Sequence, residues 1–355
     1  MDFYFLLEYA IRKNASDVHF SVGAAPLLRI DGELRPFGGA APLTECDMEK
    51  LLGNILTRRQ MRIYKSSNEL DFSYFYEGTN VQAHFRGNAF YGTRKMSAVF
   101  RRIPVYIPSL DELALPPLLR TVSRMRRGIF LVTGATGSGK STTLAAIVNE
   151  INKTRRDHII TIEDPVEYVY QPDKCLIHQR EISLDTDSFA EGLRSALRQD
   201  PDVLLIGEMR DRETIDAALS ASDMGHTIFS TLHTMNASQS IDRIVDVFPY
   251  EQQAQIRVQL AGSLTGICSQ QLIPKKEGGR VCATEILMAV SGIRNCIAEG
   301  ATSQIRSLLQ TGVLDGMHTM EQDLARLVNE GALSEDEALN YAYDPKDLQR
   351  ILQGP

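Results

Sequence analysis

Gly134, Ala135, Thr136, Gly137, Ser138, Gly139, Lys140 and Ser141 fit the pattern G-x-x-x-x-G-K-[ST]. Phosphate oxygens need several backbone N–H donors at close range, and glycines let a loop bend around them. Lys140 then brings positive charge to the terminal phosphates of ATP, and the Ser141 hydroxyl offers a ligand to Mg2+. Thr142 follows in the helix that such a loop must open. Ahead of the loop, Ile129, Phe130, Leu131 and Val132 form an apolar run; behind it, Leu144, Ile147, Val148 and Ile151 keep helical spacing. A glycine turn alone requires neither flank. Strand, loop and helix in this order are the context that phosphate binding requires.

Two other apolar runs end in acids. Residues 203–206 lead into Gly207 and Glu208, a carboxylate at a strand end of the kind that holds Mg2+ or its waters. Residues 159–162 lead into Glu163, Asp164 and Pro165. Ligands of parallel sheets bind beyond the carboxyl ends of the strands, so Glu163 is expected to face the same crevice as Lys140. There it would orient the attacking water as a general base. Without the phosphate loop, Glu208 would be one of many carboxylates that end strands, and the run at Glu163 a proline-terminated turn with solvated acids. A fourth run, residues 227–230, is bracketed by Gly225 and His226 before it and His233 and Thr234 after it. Strand-end placement suits His233 to sensing the γ-phosphate and gives His226 a functional reading too, against buried structural histidines as the alternative.

These residues need a buried, mainly parallel sheet. The four apolar runs alternate with helical patterns from Gly128 onward, which predicts an α/β domain over residues 119–355. From about residue 252 the chain is expected to turn mostly helical. The first hundred residues mix short strands and helices, with a hairpin at Asp31 and Gly32, and predict a small α+β domain over 1–102. Pro104, Pro108, Pro116 and Pro117 place a linker at 103–118. Arg120, Arg124, Arg126 and Arg127 just beyond it could meet phosphate or simply line a solvated helix face.

Composition narrows the classes. With 355 residues, 43% hydrophobic and 23% charged, two ordinary cores are expected and a disordered chain is excluded. A net charge of −7 and the absence of tryptophan argue against nucleic acid as a partner. No stretch is long and apolar enough for an integral membrane segment, and the opening residues lack a signal-peptide pattern, so a cytoplasmic protein is expected. Five cysteines without close spacing read as reduced thiols, mostly buried, with neither disulfide nor zinc.

Taken in order, the motifs at 134–141, 161–167, 205–211 and 225–234 resemble those of the secretion-superfamily ATPases of type II secretion and type IV pilus machines, in particular the pilus retraction ATPases. Ala15, Ser16, Asp17, Val18 and His19, with the run 29–34, are similar to that family's N-terminal domain. The resemblance implies a PAS-like N-terminal domain, a RecA-like ATPase domain and a homohexamer that hydrolyses ATP with Mg2+. It implies Glu163 as the catalytic glutamate, Glu208 as the acid that holds Mg2+ through water, and His233 near the γ-phosphate. Arg86 and Arg101 match N-domain arginines that close over nucleotide, work to which a permanently charged, forked guanidinium is suited. As partners it implies an inner-membrane pilus platform protein at the cytoplasmic face, which would hold the motor at the membrane, and a second retraction ATPase.

Residues 292–297 resemble the retraction motors' C-terminal signature. Ile293 and Ile297 are one helical turn apart and are expected to share a buried face, leaving Arg294 and Asn295 turned elsewhere to couple hydrolysis to mechanical work. Departures from the family pattern are Ala135 in place of proline, Gly292 in place of alanine, and a tail over 344–355 closer to the accessory retraction ATPases. Retraction motor and accessory ATPase therefore both stand. A nucleic-acid translocase and a regulatory nucleotide-binding module are the readings from other classes; stimulation by single-stranded DNA and measured turnover, respectively, separate them.

Overall fold

Residues 3–30, 32–78, 82–103 and 106–354 are described by the structure, a computed structural model. The chain divides into two compact units, Met1–Tyr106 with Pro165–Val169, and Ile107–Asp164 with Tyr170–Pro355. The proline-rich stretch 103–118 is thus only in part a connector. From Ile107 it counts with the second unit, and Ile107, Leu110 and Leu115 are buried. Pro104 and Val105 lie outside the described residues, as do Asp31 of the expected hairpin and Val81.

The first unit runs α1 (Phe3–Arg12), β1 (Asp17–Ser21), β2 (Leu27–Ile30), β3 (Glu33–Pro36), α2 (Glu45–Ile55), α3 (Arg58–Ser67), β4 (Glu69–Glu77), β5 (Gln82–Gly92) and β6 (Lys95–Ile103). Its strands pair antiparallel in the order β3-β2-β1-β6-β5-β4. Along β5, Ala83, Phe85, Gly87 and Ala89 face the core while Gln82 and Arg86 face outward, the period of two that a half-covered sheet imposes. Phe20, Phe72 and Phe85 each meet Phe100 edge-on. Gly87 is required here, since a Cβ would stand 2.2 Å from the Phe72 ring.

The second unit continues with α4 (Leu118–Val122), β7 (Gly128–Thr133), α5 (Lys140–Thr154), β8 (His158–Glu163), β9 (Leu176–Glu181), α6 (Phe189–Ala196), β10 (Val203–Ile206), α7 (Arg212–Asp223), β11 (Thr227–Leu232), α8 (Ala237–Asp246), α9 (Tyr250–Ser263), β12 (Leu264–Pro274) and β13 (Arg280–Met288). Helices α10 (Ser291–Glu299), α11 (Ile305–Thr311), α12 (Met320–Asn329), α13 (Glu335–Tyr341) and α14 (Pro345–Gln353) complete it. The sheet order is β13-β12-β7-β11-β10-β8-β9, parallel except for the β12–β13 pair. Every residue of β7, β10 and β11 is buried, as expected where helices cover both faces.

From residue 252 the chain is mostly helical, as expected, but with an addition that the sequence reading lacked: β12 and β13 form a long hairpin that widens the sheet beyond β7. Ser269, Gln270, Thr284 and Glu285 broke its apolar pattern, yet all four are buried and hydrogen-bonded. Four of the five cysteines are buried and Cys46 is exposed; all five are free thiols. Arg120 pairs with Asp111 and Arg126 with Asp157, so half of the basic cluster near the linker serves ion pairs.

Helix α10 buries Ile293 and Ile297 and leaves Asn295 exposed, as the spacing predicts. Arg294 differs. Its guanidinium turns back to the end of α9, donating to the Ala261 carbonyl and, at 2.9 Å, to the Gly262 carbonyl. Those carbonyls lack helical partners, so a cation there caps the helix. Arg294 therefore has a structural contact of its own that the spacing did not suggest. Arg294→Ala is expected to cost about 1–2 kcal/mol of stability and Asn295→Ala almost nothing; thermal unfolding of the two single variants checks this.

Candidate nucleotide-binding site

The phosphate loop leaves the carboxyl end of β7 and enters α5. Gly134 adopts φ 144°, and a Cβ there would stand 2.4 Å from the Gln270 carbonyl oxygen, because the loop packs against β12. Gly137 and Gly139 sit at φ 81° and 89°, left-handed values that turn the chain back on itself. Lys140 opens α5, so the first-turn N–H groups of the helix and its positive dipole end face the loop. Ser141 and Thr142 follow, half-buried, in that turn.

Three features fit a bound polyphosphate. The Lys140 side chain is buried and folded back, its Nζ donating to the carbonyls of Gly134 at 2.9 Å and Ala135 at 3.0 Å, a substitute for anionic oxygens. Ser138 Oγ is buried without a hydrogen-bond partner among the described residues. Gln270 Nε2 donates at 2.7 Å to the Ser138 carbonyl and so fixes the loop from β12.

Strands β8, β10 and β11 end beside this loop because β7, β11, β10 and β8 are consecutive in the sheet. Glu163 ends β8 with 9% of its surface exposed, and its Oε1 accepts from Thr161 Oγ1 at 2.6 Å and Gln179 Nε2 at 3.2 Å. Glu208 follows β10. Its Oε1 stands 3.4 Å from His233 Nε2 and also takes a close hydrogen bond from Arg210 Nε. Gly207 ties the turns together, donating its N–H to the Ile162 carbonyl at 2.8 Å while its own carbonyl accepts from Thr231 Oγ1 at 2.6 Å. One edge of the sheet thus gathers a buried ammonium, two carboxylates and an imidazole.

The profile of the type II/IV secretion system protein family matches residues 108–344, which include every one of these groups. The chain belongs to that family. It is 45% identical over 348 residues to the type IV pilus retractation ATPase PilT of Pseudomonas aeruginosa, covering 98% of this chain and 100% of that one. To the type IV pilus ATPase PilU of Pseudomonas aeruginosa it is 36% identical over 354 residues, covering 99% and 92%. A crystal structure of the pilus retraction motor PilT with bound ADP matches it with a TM-score of 0.91 at 41% identity, covering 99% of each chain.

As a type II/IV secretion system family member, the chain carries groups that reading its motifs overlooked. Arg210 holds the Glu208 carboxylate, and Gln270 holds the loop from a strand that did not read as one. The spacing of Arg210, two residues past Glu208, was the available signal; nothing in the sequence marked Gln270. His226 needs correction. It precedes the amino end of β11, its carbonyl accepting from the Gly128 N–H at the start of β7 and its Nδ1 meeting the Pro201 carbonyl at 2.9 Å. That is the opposite edge of the sheet from the phosphate loop, so strand-end placement gives His226 no place beside the phosphates. Its strand has two ends, and only His233 is at the carboxyl one.

The family profile begins after Arg86 and Arg101, which belong to the first unit. They stand opposite each other across β5 and β6. Arg86 is exposed, whereas Arg101 Nε donates to Asp17 Oδ1 at 2.8 Å across β1. Burial pushes the Asp17 carboxyl up, but hydrogen bonds from Arg101 and Ser16 outweigh it and hold the group below its ordinary range.

Proposed function

We propose that this chain is an ATP-hydrolysing motor that powers type IV pilus retraction. The pilus assignment is carried by one observation, the near full-length likeness to the retractation ATPase PilT. The ATPase assignment is supported by the site itself. Lys140 and the N–H groups of residues 134–142 bind the phosphates of ATP, releasing Nζ from the Gly134 and Ala135 carbonyls. Ser141 and Glu208 would hold Mg2+, Glu208 through a water, and the ion when bound neutralises charge building on the phosphate oxygens. Glu163 orients the attacking water and accepts its proton as the water oxygen bonds the γ-phosphorus; the bond from that phosphorus to the β–γ bridging oxygen breaks, inorganic phosphate leaves, and ADP keeps the bridging oxygen and remains on the loop. His233, against Glu208, senses the γ-phosphate.

In this reading the first unit is a PAS-like domain and the second a RecA-like ATPase domain, with Arg86 and Arg101 closing over nucleotide within a homohexamer. Its partners are the inner-membrane platform protein and a second retraction ATPase, and it works at the cytoplasmic face. No helix among the described residues is long and apolar enough to cross a membrane, in keeping with peripheral attachment. Deleting the gene is expected to leave cells with excess surface pili and no twitching. Loss of pili would instead mark an extension motor. Unchanged twitching would favour the accessory role, which the 36% identity to PilU supports less strongly than the 45% to PilT supports retraction.

A further inference from the structure

The geometry points to Gln179 as the residue that orients Glu163 for hydrolysis, an inference that rests on Glu163 being the base. Gln179 lies on β9, the edge strand, directly beside Thr161 of β8 in the parallel register. An edge strand has a neighbouring strand on one side only. Gln179 is engaged at both ends of its amide. Oε1 accepts the Tyr170 N–H at 2.9 Å, and since a backbone N–H only donates, that contact decides which end of the amide is oxygen. Nε2 therefore faces Glu163 Oε1, at 3.2 Å.

Thr161, two residues before Glu163 and on the same face of β8, donates to the same oxygen at 2.6 Å. The last torsion of a glutamate is broad, so an untethered carboxylate samples many rotations. Two donors arriving on one oxygen, one from its own strand and one from the neighbour, set that rotation and hence the direction in which the carboxylate meets a water. Misplacement of a reacting group by about 1 Å is enough to cost on the order of 10²-fold in rate. Gln179 touches neither nucleotide nor water in this scheme; it acts through Glu163 and is a positioning residue. A plainer role is a strut joining β9 to the segment at Tyr170.

Two substitutions in the full-length chain separate these roles. Gln179→Leu removes both contacts. Gln179→Glu keeps an oxygen for the Tyr170 N–H but replaces the donor facing Glu163 with a second carboxylate. Steady-state ATP hydrolysis is expected to show kcat reduced about tenfold or more in both, with KM and the Kd of a non-hydrolysable ATP analogue within about twofold of the parent. Thr161→Val should behave likewise, and Thr161→Ser, which keeps the hydroxyl donor, should retain turnover. Gln179→Glu turning over at the parental rate would overturn the inference and leave the strut. So would a parallel loss of kcat, analogue binding and thermal midpoint in Gln179→Glu. Glu163→Gln is measured alongside: if it hydrolyses normally, the base assignment itself fails; if it is inactive while Gln179→Glu is normal, only the role of Gln179 fails.

Discussion

Lys140→Ala is expected to weaken ATP binding by about 10²-fold or more, whereas Glu163→Gln should bind ATP normally and turn over about 10²–10⁴-fold more slowly. The two residues act at different stages. Lys140 makes charge-assisted bonds to phosphate already in the ground state, and its Nζ now rests on two loop carbonyls that an anion would outbid. Glu163 gains nothing from bound ATP and matters when a water loses its proton. Glutamine keeps the volume and an acceptor oxygen, so the contacts with Thr161 and Gln179 survive in Glu163→Gln while the base is lost. Equilibrium binding of a fluorescent ATP analogue, together with phosphate release, reads both effects. Comparable turnover in Glu163→Gln and the parent would remove the base.

The second large effect is on the first unit. Arg86→Ala should lower kcat by about 10³-fold, the scale of an arginine that meets transition-state charge. It should leave stability alone, because Arg86 is exposed. Arg101→Ala should lose as much activity and destabilise the protein as well, since among the described residues buried Asp17 then keeps only Arg29, at 3.8 Å, as an ion-pair partner. The folded-state pKa of Asp17 is depressed, so its contribution is present above the unfolded carboxylate pKa and is lost as pH falls through the folded one. The gap in thermal midpoint between Arg101→Ala and the parent should therefore be full at neutral pH and close in acid. Arg86→Ala should show no such gap at any pH. Full ATPase activity in Arg86→Ala would show that the first unit does not contribute to chemistry.

Much of this site was legible in residue order. A phosphate loop has its glycines, lysine and flanking periods in one stretch, and strands buried on both faces announce themselves as unbroken apolar runs. Thus β7, β8, β10 and β11, and with them Lys140, Glu163, Glu208 and His233, could be placed by their strand ends. What supports those groups was not legible. Strand β9 reads Leu176, Ile177, His178, Gln179, Arg180 and Glu181, a mostly polar run that pairs on one side only. Strand β12 hides Ser269 and Gln270 in a polar core contact with Thr133 and the loop. Both supply side chains whose partners lie on other elements, as Gln270 and Ser138 do, and periodicity carries no information about that. The same holds for Arg294: its helical face was predictable, but the carbonyls of α9 that it caps were not. Helix α3 was overlooked although Thr57 and Gln60 write out its capping box, so there the signal was present and local.

The proposed motor is tested most directly by watching labelled pili on living cells whose sole copy of this chain carries Glu163→Gln. Pili that extend normally and do not retract, on cells that build up surface pili beyond the parental number, are the expected result. Retraction events at the parental frequency, with the variant chain present at parental abundance, would contradict it.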